Sequence, residues 1–139
     1  MPRSMMLLGV LCLFCGAARA ETVPFSATLA GTSEVPPKTT AGTGAATASL
    51  DTATKMLTYN VEYSGLSGPA TAAHFHGPAE PGVNAGVVVP FPTPASPIKG
   101  TATLTDAQVA DLMAGRWYAN VHTAANPAGE IRGQMTRAK

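Results

Sequence analysis

Hydrophobic and polar side chains alternate along much of the chain. Between residues 22 and 30, the apolar residues Val23, Phe25, Ala27 and Leu29 occupy every second position. This spacing is typical of a strand with one buried face. The same pattern, interrupted by turn residues, predicts seven or eight short strands, at residues 22–30, 45–50, 55–63, 70–76, 86–89, 99–104, 116–123 and 130–136.

One segment has helical periodicity instead. Thr105 and Gln108 are spaced as a capping box, in which each side chain satisfies a backbone N–H of the first turn. Val109 and Leu112 follow on one helical face, and Gly115 is a suitable stop. Short strands with a single short helix predict an all-β sandwich or barrel. A chain of 139 residues suits one such domain.

The first twenty residues resemble an export signal. Arg3 supplies a positive start, residues 5–15 are almost wholly apolar, and Ala18 and Ala20 are small residues at the positions that signal peptidase recognises. The apolar run is shorter than the roughly 20 residues that a membrane-spanning helix needs. We therefore expect a signal peptide at 1–20 and a mature domain at 21–139. The mature domain would be periplasmic or secreted, with no transmembrane segment.

Removal of that signal changes the available chemistry. Cys12 and Cys15, the only two cysteines, would leave with it, so the mature protein would have no disulfide and no thiolate ligand. Seven basic and eight acidic residues would remain, and the chain contains no run of Lys or Arg. Nucleic acid is therefore not an expected partner, because it requires a concentrated basic patch.

All three histidines lie after the predicted signal. His74 and His76 flank Phe75 on a predicted strand, so their imidazoles share one face with Cα atoms roughly 7 Å apart. His122 lies on the face of its strand opposite Trp117. Three imidazoles suit copper or zinc. The alternative is that these histidines are structural and hydrogen-bonded.

Two long motifs carry a family resemblance. The sequences AHFHGPA at 73–79 with NAGVVV at 84–89, and WYANVHTAANPAGEIRGQ at 117–134, closely resemble the CHRD domain. This module was first named from chordin and is widespread as single-domain secreted bacterial proteins. The resemblance covers residues 22–136. It implies an extracytoplasmic β domain, but no settled biochemical activity.

A second resemblance concerns the order of the histidines. Cu/Zn superoxide dismutases carry an early His-x-His strand and a late Val-His strand, followed by an Asn-Ala-Gly loop and an Arg. His74, His76, His122 and Arg132 stand in a similar order. The resemblance implies a Greek-key β-sandwich or barrel, three histidine ligands to copper, and Arg132 as a guide for an anion. The chain has no further histidine to bridge a zinc ion, so we expect a single copper ion, with zinc less favoured.

The expected function is therefore a secreted or periplasmic copper-binding protein with superoxide or other redox activity. The rival is a non-catalytic interaction module of the envelope or matrix, with structural histidines. A small molecule or an envelope protein is the expected partner, and whether the protein is an enzyme is left open. Glu130 and Arg132 share a strand face and are expected to form a surface pair contributing about 0–1 kcal/mol.

Overall fold

The computed structural model describes residue 16 and residues 19–139. Most of the expected signal peptide, including Cys12 and Cys15, lies outside the described residues, so the signal stays a prediction. The strands are β1 Thr22–Ala30, β2 Thr43–Asp51, β3 Met56–Ser64, β4 Ala70–His76, β5 Val87–Pro90, β6 Ile98–Thr103, β7 Trp117–Thr123 and β8 Ile131–Arg137. All eight predicted strands are present, with ends shifted by at most two residues.

The eight strands form one antiparallel sheet in the order β5-β4-β7-β8-β1-β2-β3-β6. The sheet curls until its distant strands face each other across the core. Tyr59 of β3 and Phe75 of β4 stand far apart in the strand order, yet their ring centroids are 5.4 Å apart. The prediction of an all-β, barrel-like domain with one short helix is confirmed. A fold of the superoxide dismutase type stays a prediction.

The core consists of the inward-facing residues that the alternation identified. Val23, Phe25 and Leu29 of β1 are at most 1% exposed. Phe75 and Trp117 are also fully buried, as expected of the residues opposite the histidines. Burial of apolar area at roughly 25 cal/mol per Å² is the main stabilising term of such an interior.

The helix α1, Asp106–Met113, begins at its predicted cap. The Thr105 hydroxyl accepts the backbone N–H of Gln108, and the Gln108 side chain accepts the backbone N–H of Thr105. Gly115 follows with φ of +73°, a left-handed conformation that glycine adopts without a steric penalty. No helix in residues 19–139 is both long enough and apolar enough to cross a membrane.

One part of the sheet is covered on its outward face as well. Six of the seven residues of β7 are buried, whichever face they occupy. The covering segments are residues 31–38, after β1, and residues 77–86, after β4. Both are tied to the sheet by side chains: Arg132 donates to the carbonyl of Val83, Gln134 donates to the carbonyl of Ala79, and Asn120 donates to the carboxylate of Glu34. This covered face carries the histidines.

Candidate metal centre

The three histidines meet at the junction of β4 and β7. His74 and His76 project from alternate positions of β4, and His122 projects from β7 opposite Ala72. One ring nitrogen from each histidine lies within 4.8 Å of the others. The cluster predicted from sequence is therefore assembled, and its three ligand atoms are spaced closely enough to hold a metal ion.

Two backbone carbonyls determine which nitrogens are free. The Nδ1 atom of His76 lies 2.9 Å from the carbonyl oxygen of Ala85, and Nδ1 of His122 lies 2.9 Å from that of Pro127. A carbonyl oxygen can only accept, so both Nδ1 atoms must carry the proton. Both Nε2 atoms then present lone pairs. A ligating histidine usually donates its other N–H to such an acceptor, which fixes the ring for the metal.

The remaining ring contacts test whether these residues suit a metal ion. Nε2 of His76 is buried and has no hydrogen-bond partner among the described residues. An unpartnered buried polar atom costs roughly 1–3 kcal/mol, and a metal ion would remove that cost. Nδ1 of His74 lies 3.2 Å from Nε2 of His122, so a single proton can join them when no metal is bound. The donor set therefore fits a metal bound by imidazole nitrogens.

Burial also favours the neutral state that a ligand requires. Desolvation lowers the pKa of His74, and the neighbouring His122 and His76 lower it further. Desolvation likewise lowers the pKa of His76, against the opposing hydrogen bond to Ala85. Near neutral pH both imidazoles are therefore uncharged and need no proton loss before binding.

Tyr118 lies beside His76 on the covered face and supports the cluster. Its ring is parallel to that of His76, with an interplanar angle of 2° and centroids 4.8 Å apart. Its hydroxyl donates to the carbonyl of Ala85 and accepts the Ala85 N–H. The carbonyl that orients His76 is thus itself held by Tyr118. The guanidinium carbon of Arg132 lies 3.5 Å from the centre of the Tyr118 ring.

Arg132 is buried, whereas the sequence predicted that it would lie on the surface. It is 2% exposed, and it donates to the side-chain oxygen of Asn84 and to the carbonyl of Val83. Asn120 stands between Arg132 and His74 in the sheet. Two strand spacings therefore separate Arg132 from His74, roughly 10 Å between Cα atoms. Its role in guiding an anion stays a prediction.

The expected surface pair of Glu130 and Arg132 is wrong. Glu130 is 0% exposed and lies just before β8. Its carboxylate accepts hydrogen bonds from Thr40, Ser67, Thr123 and Asn126 rather than from Arg132. Burial disfavours the charge, but these bonds outweigh it and lower the pKa of Glu130 to about 2. Both residues are therefore buried, and their side chains have no hydrogen-bond partner in common.

Sequence reasoning did not single out Glu34. It is 5% exposed, and its carboxylate accepts a hydrogen bond from the Asn120 amide. Gly129, with φ of +127°, packs so closely here that a Cβ atom would collide with both side chains. No periodicity marks Glu34, because it lies in an irregular segment. The alternation of β7 predicts Asn120 on this face but does not predict its hydrogen-bond partner.

A comparison against protein families gives a match. The model of the CHRD domain matches residues 25–135 of the chain. The chain belongs to the CHRD domain family. Comparison with curated proteins and with solved structures gives no match. The family assignment confirms the resemblance noted from the two long motifs, and all three histidines of this CHRD domain fall within the matched range.

Proposed function

We propose that this CHRD-domain protein is secreted or periplasmic and holds a single copper ion through His74, His76 and His122. One observation carries the proposal. Three ring nitrogens lie within 4.8 Å of one another, and backbone carbonyls at Ala85 and Pro127 free two of them for a ligand. The expected export signal supports the location, and the matched family supports an extracytoplasmic domain.

Copper is favoured over a structural zinc ion by the donor set. Affinity of a nitrogen site for divalent first-row metals rises to a maximum at Cu²⁺ and falls again at Zn²⁺. Structural zinc sites are closed by four protein ligands, commonly including thiolates. Three histidines form this cluster, and the cysteines of the chain belong to the predicted signal.

Bound copper would supply one-electron redox chemistry, and superoxide or a similar small molecule is the proposed substrate class. The chain's own part is to position the ligands. The carbonyls of Ala85 and Pro127 hold the rings of His76 and His122, and desolvation keeps His74 and His76 neutral. Three protein ligands leave a coordination position open, as a catalytic site requires.

The second candidate is a non-catalytic interaction module of the envelope. The contact of 3.2 Å between Nδ1 of His74 and Nε2 of His122 favours it, since this pair can be satisfied by one proton and no metal. Nε2 of His76 argues against it, because it would stay buried without a partner. The unpartnered Nε2 atom of His76 therefore favours the copper site over the interaction module.

Calorimetric titration of the purified, metal-free protein with Cu(II) tests the proposal. We expect one bound ion per chain, and His74→Ala, His76→Ala and His122→Ala should each weaken binding at least about tenfold. Thr58→Val, on an exposed part of β3, is the control and should bind as the wild type does. Binding should hold near pH 6.5 and weaken below it, because the pKa values of His74 and His76 lie below their usual value.

Two results would count against the proposal at different levels. Equal, weak affinities of the wild type and the triple histidine variant would end the copper site and leave the interaction module. Tight copper binding without superoxide consumption above that of the triple variant would keep the site and remove this activity.

A further inference from the structure

A cleft of about 410 Å³ opens on the covered face of the sheet. One wall is formed by residues 32–35 and Pro37, which follow β1, and the other by Pro81 and Gly82 of the segment after β4. Arg132 and Gln134 of β8 lie at its floor. Val35, Pro37 and Pro81 make most of the walls apolar.

Two buried groups that carry charge face this cleft without pairing with each other. Arg132 and Glu34 are 2% and 5% exposed, and no ion pair within 4.0 Å joins them among the described residues. Side-chain hydrogen bonds to Asn84 and Val83 use two of the five N–H donors of Arg132. Glu34 uses one carboxyl oxygen for Asn120. Hydrogen-bonding capacity therefore remains on Arg132 at the floor and on Glu34 in the wall of the cleft.

This arrangement selects the charge and shape of a ligand. A guanidinium is matched in geometry by a carboxylate, and charge-assisted hydrogen bonds of this kind are about twice as strong as neutral ones. A dianion would be repelled by Glu34 whenever that group is ionised, and a cation would be repelled by the positive charge of Arg132. The apolar walls favour a ligand with a hydrophobic body. We propose that this cleft binds a small monocarboxylate, which Arg132 holds by its charge and which the carboxyl group of Glu34 contacts.

The electrostatics of Glu34 agree with this role. Desolvation raises its pKa to about 7, although the charges of Arg132 and Lys38 and the hydrogen bond from Asn120 oppose the rise. These groups face the carboxyl from β8, from its own segment and from β7. Near neutral pH a substantial fraction of Glu34 is therefore protonated. A bound carboxylate can accept that proton in a hydrogen bond, so binding should be linked to the protonation of Glu34.

Nuclear magnetic resonance titration of the metal-free protein with benzoate tests the inference. We expect saturable shifts of the backbone amides of Ser33, Gly82 and Gln134. The neutral analogue benzamide should give none. Benzoate stays ionised between pH 6 and 8, so a pKa near 7 for Glu34 predicts binding about tenfold weaker at pH 8 than at pH 6.

The variant Glu34→Gln separates the proposed role from general effects of pH. A glutamine donates at every pH, so this variant should bind benzoate equally at pH 6 and pH 8. Glu62→Gln, at an exposed site on β3, should keep the tenfold change of the wild type. Absence of saturable shifts, equal binding of benzamide, or the same pH dependence in the wild type and Glu34→Gln would each overturn the inference. None of these outcomes depends on copper.

Discussion

The outward face of the sheet has two halves that follow the same alternation and differ in exposure. On β1, β2, β3 and β6 most outward side chains are small or polar, and Thr47, Thr58 and Thr101 are exposed to solvent. On β4, β7 and β8 the outward side chains include histidine, asparagine and arginine. There Asn120 and Arg132 are about as buried as the core.

The difference comes from what covers each half. Residues 31–38 and 77–86 lie over the outward face of β4, β7 and β8, and buried polar groups there need partners. Arg132 stacks on Tyr118, and Glu130, at the edge of this half, has five donors from residues outside these two segments. The covered half is thus a second, polar interior. The histidine cluster and the proposed carboxylate cleft both lie there, where solvent is limited and charges act more strongly.

The largest effect of this difference should appear at Glu130. Glu130→Gln removes the charge that Ser67, Thr123 and Thr40 stabilise, and it brings an NH₂ group close to the Asn126 donor. We expect a loss of about 3 kcal/mol in the free energy of unfolding at pH 7. Urea denaturation measures it.

The pH dependence of that loss follows from the lowered pKa. The carboxylate contributes its full stabilisation above the unfolded value near 4.5, and this contribution disappears as pH falls toward about 2. The difference in the free energy of unfolding between the wild type and Glu130→Gln should disappear over the same pH range. Glu62→Gln on the exposed half is the matched control and should change stability by less than about 0.5 kcal/mol. Equal losses for the two variants would mean that the halves do not differ.

The same contrast shows what sequence can predict here. Alternation identified all eight strands, the Thr105 capping box and the common face of the histidines, because each depends on local periodicity. The exposure of Glu130 and Arg132 was misjudged because residues that cover them, such as Thr40 and Ser67 for Glu130 and Val83 for Arg132, come from distant parts of the chain. The carbonyls of Ala85 and Pro127 carry no residue-type signal at all, since they are backbone atoms.

A smaller effect, of opposite sign, is expected at Glu34. Its pKa is raised by burial, so the folded state prefers the protonated form, and stability is lost as pH rises from about 4.5 to about 7. Glu34→Gln removes this ionisation while keeping a partner for Asn120. We expect it to raise the free energy of unfolding at pH 8 by on the order of 2 kcal/mol and to leave stability unchanged at pH 4.5. Denaturation curves at the two pH values test this. A variant less stable than the wild type at pH 8 would show that the ionised carboxylate is well accommodated.

The last comparison makes one isosteric substitution on the exposed half and in the buried Glu130 network. Thr58 is exposed on β3 between Ser49 and Thr101, and its hydroxyl has no side-chain hydrogen bond among the described residues. Thr58→Val should therefore change the free energy of unfolding by less than about 0.5 kcal/mol, because valine keeps the β-branched shape that suits a strand. Thr123 is 1% exposed and donates to Glu130 at 2.6 Å. Thr123→Val should cost about 1–3 kcal/mol, because the buried carboxylate loses a charge-assisted donor. Thermal unfolding of the two variants under the same conditions measures the difference. Similar melting temperatures would mean that the Glu130 network is not shielded from water.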